Sequence, residues 1–167
     1  MGGVESQDLS GKNVTFTKQN LVTFPAEILS KERPWISHLN LSYNMLSDIP
    51  RLSPVLPSLR TLQLNYNNLT SFPTSLNMNH TITRMDISHN SLEEFAHVII
   101  PNLEDLRMNH TKMTINPHIL KLVFPKLKQL EMAYGESSMQ QYRSCQPDSP
   151  ASTAQNIKSC CKSNKNI

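Results

Sequence analysis

Six side chains recur at one position of a periodic pattern: Lys18, Tyr43, Tyr66, His89, His110 and Tyr134. Imidazoles can ligate a metal or change charge near neutral pH. Phenols offer a large ring with a polar tip, which suits contact with another protein. For a metal the set is short. His89 and His110 would need two or more further ligands, and Cys145, Cys160 and Cys161 all lie far along the chain. His38 adds no ligand that the spacing can place. No metal or other cofactor is expected, only a weak pH dependence of binding through the histidines.

Nucleophilic and phosphate chemistry have no motif here. Gly11-Lys12 lacks the upstream glycine of a phosphate loop, and the chain has no H-E-x-x-H, G-x-S-x-G or C-x-x-C. With only four glycines, a loop cradling phosphate is not expected. The reading is therefore a non-enzyme, with no catalytic residue and no small-molecule substrate.

Covalent chemistry enters at the ends. Met1-Gly2-Gly3-Val4-Glu5-Ser6 fits M-G-x-x-x-[ST], in which Gly2 would accept a myristoyl chain. An accidental Met-Gly start is the competing reading. One acyl chain anchors only marginally. A second signal could come from the basic tail or from Cys160 and Cys161 as candidate palmitoyl sites. Two idle thiols are the plainer reading of that pair. The last residues, Asn164 to Ile167, hold no prenylation cysteine.

The elements that position these side chains follow from a repeat. Ile36, Leu39, Leu41, Asn44, Leu46, Ile49 and Pro50 form one copy. Leu59, Leu62, Leu64, Asn67, Leu69, Phe72 and Pro73 restate it 23 residues later, and Ile82, Met85, Ile87, Asn90, Leu92 and Phe95 restate it again. Leu103, Leu106, Met108 and Met113 follow with Thr111 in the Asn slot, then Leu127, Leu130 and Met132 with Gly135 there. Upstream, Val14, Phe16, Leu21, Phe24 and Pro25 make a first copy with Gln19 in the slot.

The L-x-L pair has period 2 and puts both apolar side chains on one face of a short strand. Each copy offers one strand, so copies must pair as a parallel sheet, and parallel pairing needs a return crossover. Ile28, Leu29, Val55, Leu56, Val98, Ile99, Ile100, Leu120, Leu122 and Val123 lie in those returns and are expected to close the core. Pro54, Pro57, Pro101 and Pro125 keep most returns from becoming regular helices. One copy cannot bury its own core; stacked copies share one. An inward Asn amide at the slot would satisfy backbone groups where the chain leaves the strand.

These residues resemble the leucine-rich-repeat pattern L-x-x-L-x-L-x-x-N-x-L-x-x-(L/F)-P over roughly residues 14–136. The Pro after the fifth apolar position resembles the small intracellular Ras-suppressor and Shoc-type class. It is missing in the fourth copy, where Ala96 stands, and displaced in the next, at Ile115-Asn116-Pro117. The resemblance implies an α/β solenoid of about six repeats. A curved parallel sheet would form its concave face and short irregular or helical returns its convex face.

On that reading residues 1–13 are a polar arm, 14–136 the solenoid and 137–167 a polar, basic tail without a core of its own. The ring column would face a partner on the concave side. Asp86, Arg107 and Glu131, between the strand leucines, would lie side by side with alternating charge, and Arg84 with Asp105 would make a second pair. Partner contact is assigned to Tyr43, Tyr66, Asp86, His89, Arg107, His110 and Tyr134. Mere stacking of the rings and a neutralised sheet surface are the plainer alternatives.

Composition bounds the partner. Apolar residues make up 38% and charged residues 17% of 167, with a net charge of +3. Residues 1–136 carry twelve basic and twelve acidic side chains, so the excess lies in the tail, and a nucleic-acid surface is not indicated. No apolar stretch approaches the length of a membrane span, and residues 1–20 hold no apolar signal region. A cytoplasmic address is expected, with peripheral membrane contact if Gly2 is acylated. Sequons at Asn13, Asn40, Asn68, Asn79 and Asn109 are little more than this much Asn, Ser and Thr produces by chance. The functional reading is a protein-binding adaptor or scaffold. The alternatives are a regulatory subunit of a phosphatase or small-GTPase pathway, or a fragment or isoform of a larger receptor or enzyme.

Overall fold

Every copy places one extended tripeptide beside the next. The computed structural model describes residues 11–25, 28, 32–93, 98–113 and 117–132. Its strands are β1 (Asn13–Thr15), β2 (His38–Asn40), β3 (Thr61–Gln63), β4 (Arg84–Asp86), β5 (Asp105–Arg107) and β6 (Gln129–Glu131). They form one six-stranded sheet in sequence order, all parallel. Val14, Leu39, Leu62, Met85, Leu106 and Leu130 pair across all five seams, so the repeat fixes the register. A one-residue slip would turn this apolar file to the outer face.

The successive turns make a solenoid with its core between strands and returns. Leu41, Leu64, Ile87 and Met108 follow the strands into that core. Ile28, Leu56, Leu76, Val98, Ile100, Leu120 and Phe124 close it from the return side. Two return residues expected inside are instead exposed: Ile99 at 42% and Leu122 at 74%. Each is the outward neighbour of a buried residue, Ile100 and Val123 respectively. The return is one chain thick, so only one side of it can face the core.

The returns differ in regularity. Residues 51–59 run through turns, and Thr74–Leu76 forms one 3-10 turn. The last return is a regular helix, α1 (Pro117–Val123). There Pro117 stands at the first helical position, where its missing N–H costs nothing. No other proline follows until Pro125.

Residues 1–10 of the expected arm, the expected tail 137–167, Gly2, Tyr134, Cys160 and Cys161 lie outside the described residues. Among the described residues, no helix is long and apolar enough to cross a membrane.

A stacked ring ladder as candidate functional site

The ladder begins with the asparagines behind it. Asn44, Asn67 and Asn90 are buried to within 7% exposure. The Asn67 amide donates to the carbonyls of Leu41 (2.9 Å) and Leu64 (3.0 Å), and its Oδ1 accepts from the Leu46 N–H at 3.0 Å. Asn90 repeats this one turn on, donating to Leu64 and Ile87 and accepting from Leu69. Asn44 repeats it one turn back, with Phe16 and Leu41 as acceptors and the Gln19 and Leu21 N–H groups as donors. Each amide thereby ties its own turn to the preceding one. At the next slot the Thr111 hydroxyl reaches the Met108 carbonyl of its own turn.

The residue before each slot takes an unusual backbone as the chain leaves the strand. Lys18, Tyr43, Tyr66, His89 and His110 all have φ between 52 and 58°. This left-handed region is uncommon for residues other than glycine and costs about 1 kcal/mol or more for each. Backbone bonds hold it: Tyr43 N–H to Asn65 at 3.0 Å, Tyr66 N–H to Ser88 at 3.0 Å and His89 N–H to Asn109 at 2.7 Å. The column thus stands just beyond the strand ends, along the rim of the sheet.

Strand spacing then brings the rings face to face. Tyr43 and Tyr66 stack with centroids 4.3 Å apart, Tyr66 and His89 at 4.0 Å, and His89 and His110 at 4.3 Å. Interplanar angles are 9°, 10° and 20°. Lys18 Nζ lies 5.3 Å from the Tyr43 centroid, a cation over the end of the stack. The separations match the spacing of neighbouring strands, so the sheet sets the stack. Tyr66 and His89 therefore have both faces covered. Tyr43 and Tyr66 nevertheless remain 45% and 40% exposed, so it is their edges and polar tips that meet solvent.

A polar row accompanies the ladder. The Ser42 hydroxyl lies against the side-chain oxygens of Asn40 and Asn65. Ser88 Oγ accepts from the Asn109 N–H at 3.1 Å. Glu131 holds Asn109 Nδ2 at 2.9 Å with one oxygen and Arg107 Nε at 3.3 Å with the other. A shallow cavity of about 290 Å³ lies on the same face over β1 to β3, lined by Thr15, His38, Asn40, Thr61 and Gln63 among others.

Register places the charged side chains beside one another as expected, but not all of them pair. Asp86 and Arg107 are register partners, but Asp86 Oδ1 accepts from the Ser88 N–H at 3.0 Å and forms no ion pair with Arg107. The local turn bond competes for the carboxylate and wins. Arg84 and Asp105 also face each other in register without pairing. Asp105 Oδ1 is buried with no partner, while Arg84 stays exposed, where an ion pair gains only about 0–1 kcal/mol. Among the expected ion pairs, Arg107–Glu131 forms. The Asn79 sequon is 3% exposed, with its Oδ1 bonded to the N–H groups of Thr81 and Ile82.

Stacking also shifts titration. The Tyr66 phenol is held above its usual value, first by desolvation and then by Tyr43 beside it. His89 is pushed below 6.5, first by desolvation and then by His110, with Asp86 partly offsetting both. A lowered histidine pKa means that the fold prefers neutral imidazole. Its contribution to stability is present above the unfolded value of 6.5 and is lost as pH falls through the folded one. Melting temperature should fall between about pH 7.5 and about pH 5, and fall less in His89→Tyr, which keeps a ring in the stack. Identical pH profiles would remove His89 as the cause.

The family model for the leucine-rich repeat matches residues 58–79, the copy that contains β3, Tyr66 and Asn67. No curated protein matches the chain. With that copy recurring from β1 to β6 in constant register, and its asparagine bonds repeated at three successive turns, the chain folds as a leucine-rich-repeat solenoid.

Proposed function

We propose that this protein is an adaptor that binds a partner protein along the ring ladder and the polar row beside it. Leucine-rich repeats are protein-interaction modules in general. The observation that supports this particular surface is the exposure of Tyr43 and Tyr66 although their faces are stacked. Their hydroxyl edges lie in solvent along one line, where a partner protein can reach them. With the faces covered, the partner reads edges: phenol hydroxyls, imidazole nitrogens, and the Glu131–Arg107 pair at one end.

The test must spare the stack. Tyr43→Phe combined with Tyr66→Phe removes two hydroxyls and leaves the rings. The expected result is partner capture weakened about 5- to 150-fold, from about 0.5–1.5 kcal/mol per hydrogen bond, with an unchanged melting temperature. Titration calorimetry against a partner captured by the wild-type chain reads it. Unchanged affinity would mean that the ladder is structural and that the partner sits elsewhere.

A further inference from the structure

The sheet rim is not the only organised surface. On the opposite side, the third, fourth and fifth returns present Met78 (50% exposed), Ile99 (42%), Ile119 (44%) and Leu122 (74%). Backbone bonds put these returns side by side. The Met78 N–H donates to the Ile99 carbonyl at 2.7 Å, and the Ile100 N–H to the Val123 carbonyl at 3.0 Å. Ile119 and Leu122 lie three residues apart on α1, hence on one helix face. The exposed aliphatic side chains therefore form a connected strip.

The short segments that carry the strip hold no carboxylate of their own: 52–59, 71–82, 98–102 and 117–126 have no acidic residue, although the chain has 13. The last of them carries Lys121 and Lys126, both exposed. Lys126 Nζ reaches only the neutral Asn102 Oδ1, at 2.8 Å, so its charge is not compensated there. Lysines beside protruding aliphatic groups, on segments without a carboxylate, are the chemistry of a lipid interface: the apolar tips enter the acyl boundary and the ammonium groups meet anionic headgroups. Protein interfaces favour aromatic residues, methionine and arginine and are depleted in lysine; Met78 is the one member of the proposed surface of a favoured type. A second copy would bring like charges together.

We infer that the return face around Met78, Ile99, Ile119 and Leu122, with Lys121 and Lys126, is a peripheral docking surface for anionic membranes. It acts independently of any acyl group at Gly2 and of the ring ladder. With four apolar tips and two cations the attachment is weak and reversible, so both lipid charge and apolar burial are needed.

The full chain, made in a host without an N-myristoyltransferase, is sedimented with vesicles of phosphatidylcholine alone or mixed with phosphatidylserine. Binding to the mixed vesicles and not to the neutral ones is expected. Leu122→Glu with Ile99→Glu should weaken it at least tenfold, because two apolar tips no longer enter the acyl boundary and two carboxylates repel the headgroups. Lys121→Glu with Lys126→Glu should do the same, and Tyr43→Phe with Tyr66→Phe should leave it unchanged. Circular dichroism confirms folding, and Met78→Gln supplies a variant outside α1 should the paired glutamates unfold the last return. Absence of vesicle binding by the wild type overturns the inference. So does binding that survives Leu122→Glu with Ile99→Glu, which would belong to the basic tail. Self-association without lipid, abolished by the same pair while vesicles are ignored, would assign the strip to a second copy and overturn it as well.

Discussion

Asn67→Leu, which keeps the branching and the number of heavy atoms of the side chain, lowers the free energy of unfolding by about 1–3 kcal/mol. The reason is an unequal loss. Asn67 serves three backbone groups, but two of them keep another partner: the Leu41 carbonyl still receives Asn44, and the Leu64 carbonyl still receives Asn90. The Leu46 N–H has Asn67 Oδ1 as its acceptor and loses it. Leu46 is itself fully buried, so water cannot replace the bond without opening the turn. The penalty is thus mainly that of one orphaned donor, with two half-satisfied acceptors added. Thr111→Val, which removes a single bond to Met108, should cost less than half as much. Urea unfolding of the two variants beside the wild type reads the order. Equal stability of Asn67→Leu and wild type would mean that the amide ladder contributes nothing to the fold.

The same asparagines explain what the sequence makes legible. Strand positions, parallel order and register follow from spaced leucines, because a period-2 pair with one buried face admits a single pairing. The slot follows too, because Asn is the residue that can both donate and accept in a dry turn. The ring column is readable as a column for the same reason: it is fixed by counting back one residue from the slot. Its stacking partners and its backbone are not. Nothing at Tyr43, Tyr66 or His89 announces a left-handed conformation, since glycine, the usual sign of it, is absent there. The sequence leaves the rings open between partner contact and mutual stacking, and the fold stacks them.

Charge and returns are harder to read for a different reason. Register places Asp86 beside Arg107 and Arg84 beside Asp105, but register does not decide which acceptor or donor a side chain takes. Asp86 bonds a neighbour two residues away, an arrangement worth as much as an exposed ion pair. In the returns, Val98, Ile99 and Ile100 are three apolar residues in a row. A run without period gives no sign that its middle member faces outward.

Phe72→Ala should be the most damaging of these substitutions, at about 3–5 kcal/mol. Phe72 and Phe124 are both within 1% of full burial, and their rings meet at 5.6 Å and 44°. Truncation removes the transfer free energy of the ring and leaves a cavity that its neighbours, held by the sheet register, cannot collapse to fill. The ring pair also joins the third copy to the last return, beyond the nearest-neighbour contacts usual between stacked repeats. Its removal should therefore loosen the last return as well as the third. Against a total stability of about 5–15 kcal/mol, such a loss shifts the melting temperature by roughly 10–20 °C. A double-mutant cycle with Phe124→Ala tests whether the rings act together. A coupling of about 0.5–1.5 kcal/mol is expected from the aromatic pair, in addition to the single losses. Strict additivity would show that each ring fills its own part of the core, and that cooperation between the third and last returns passes through the backbone alone.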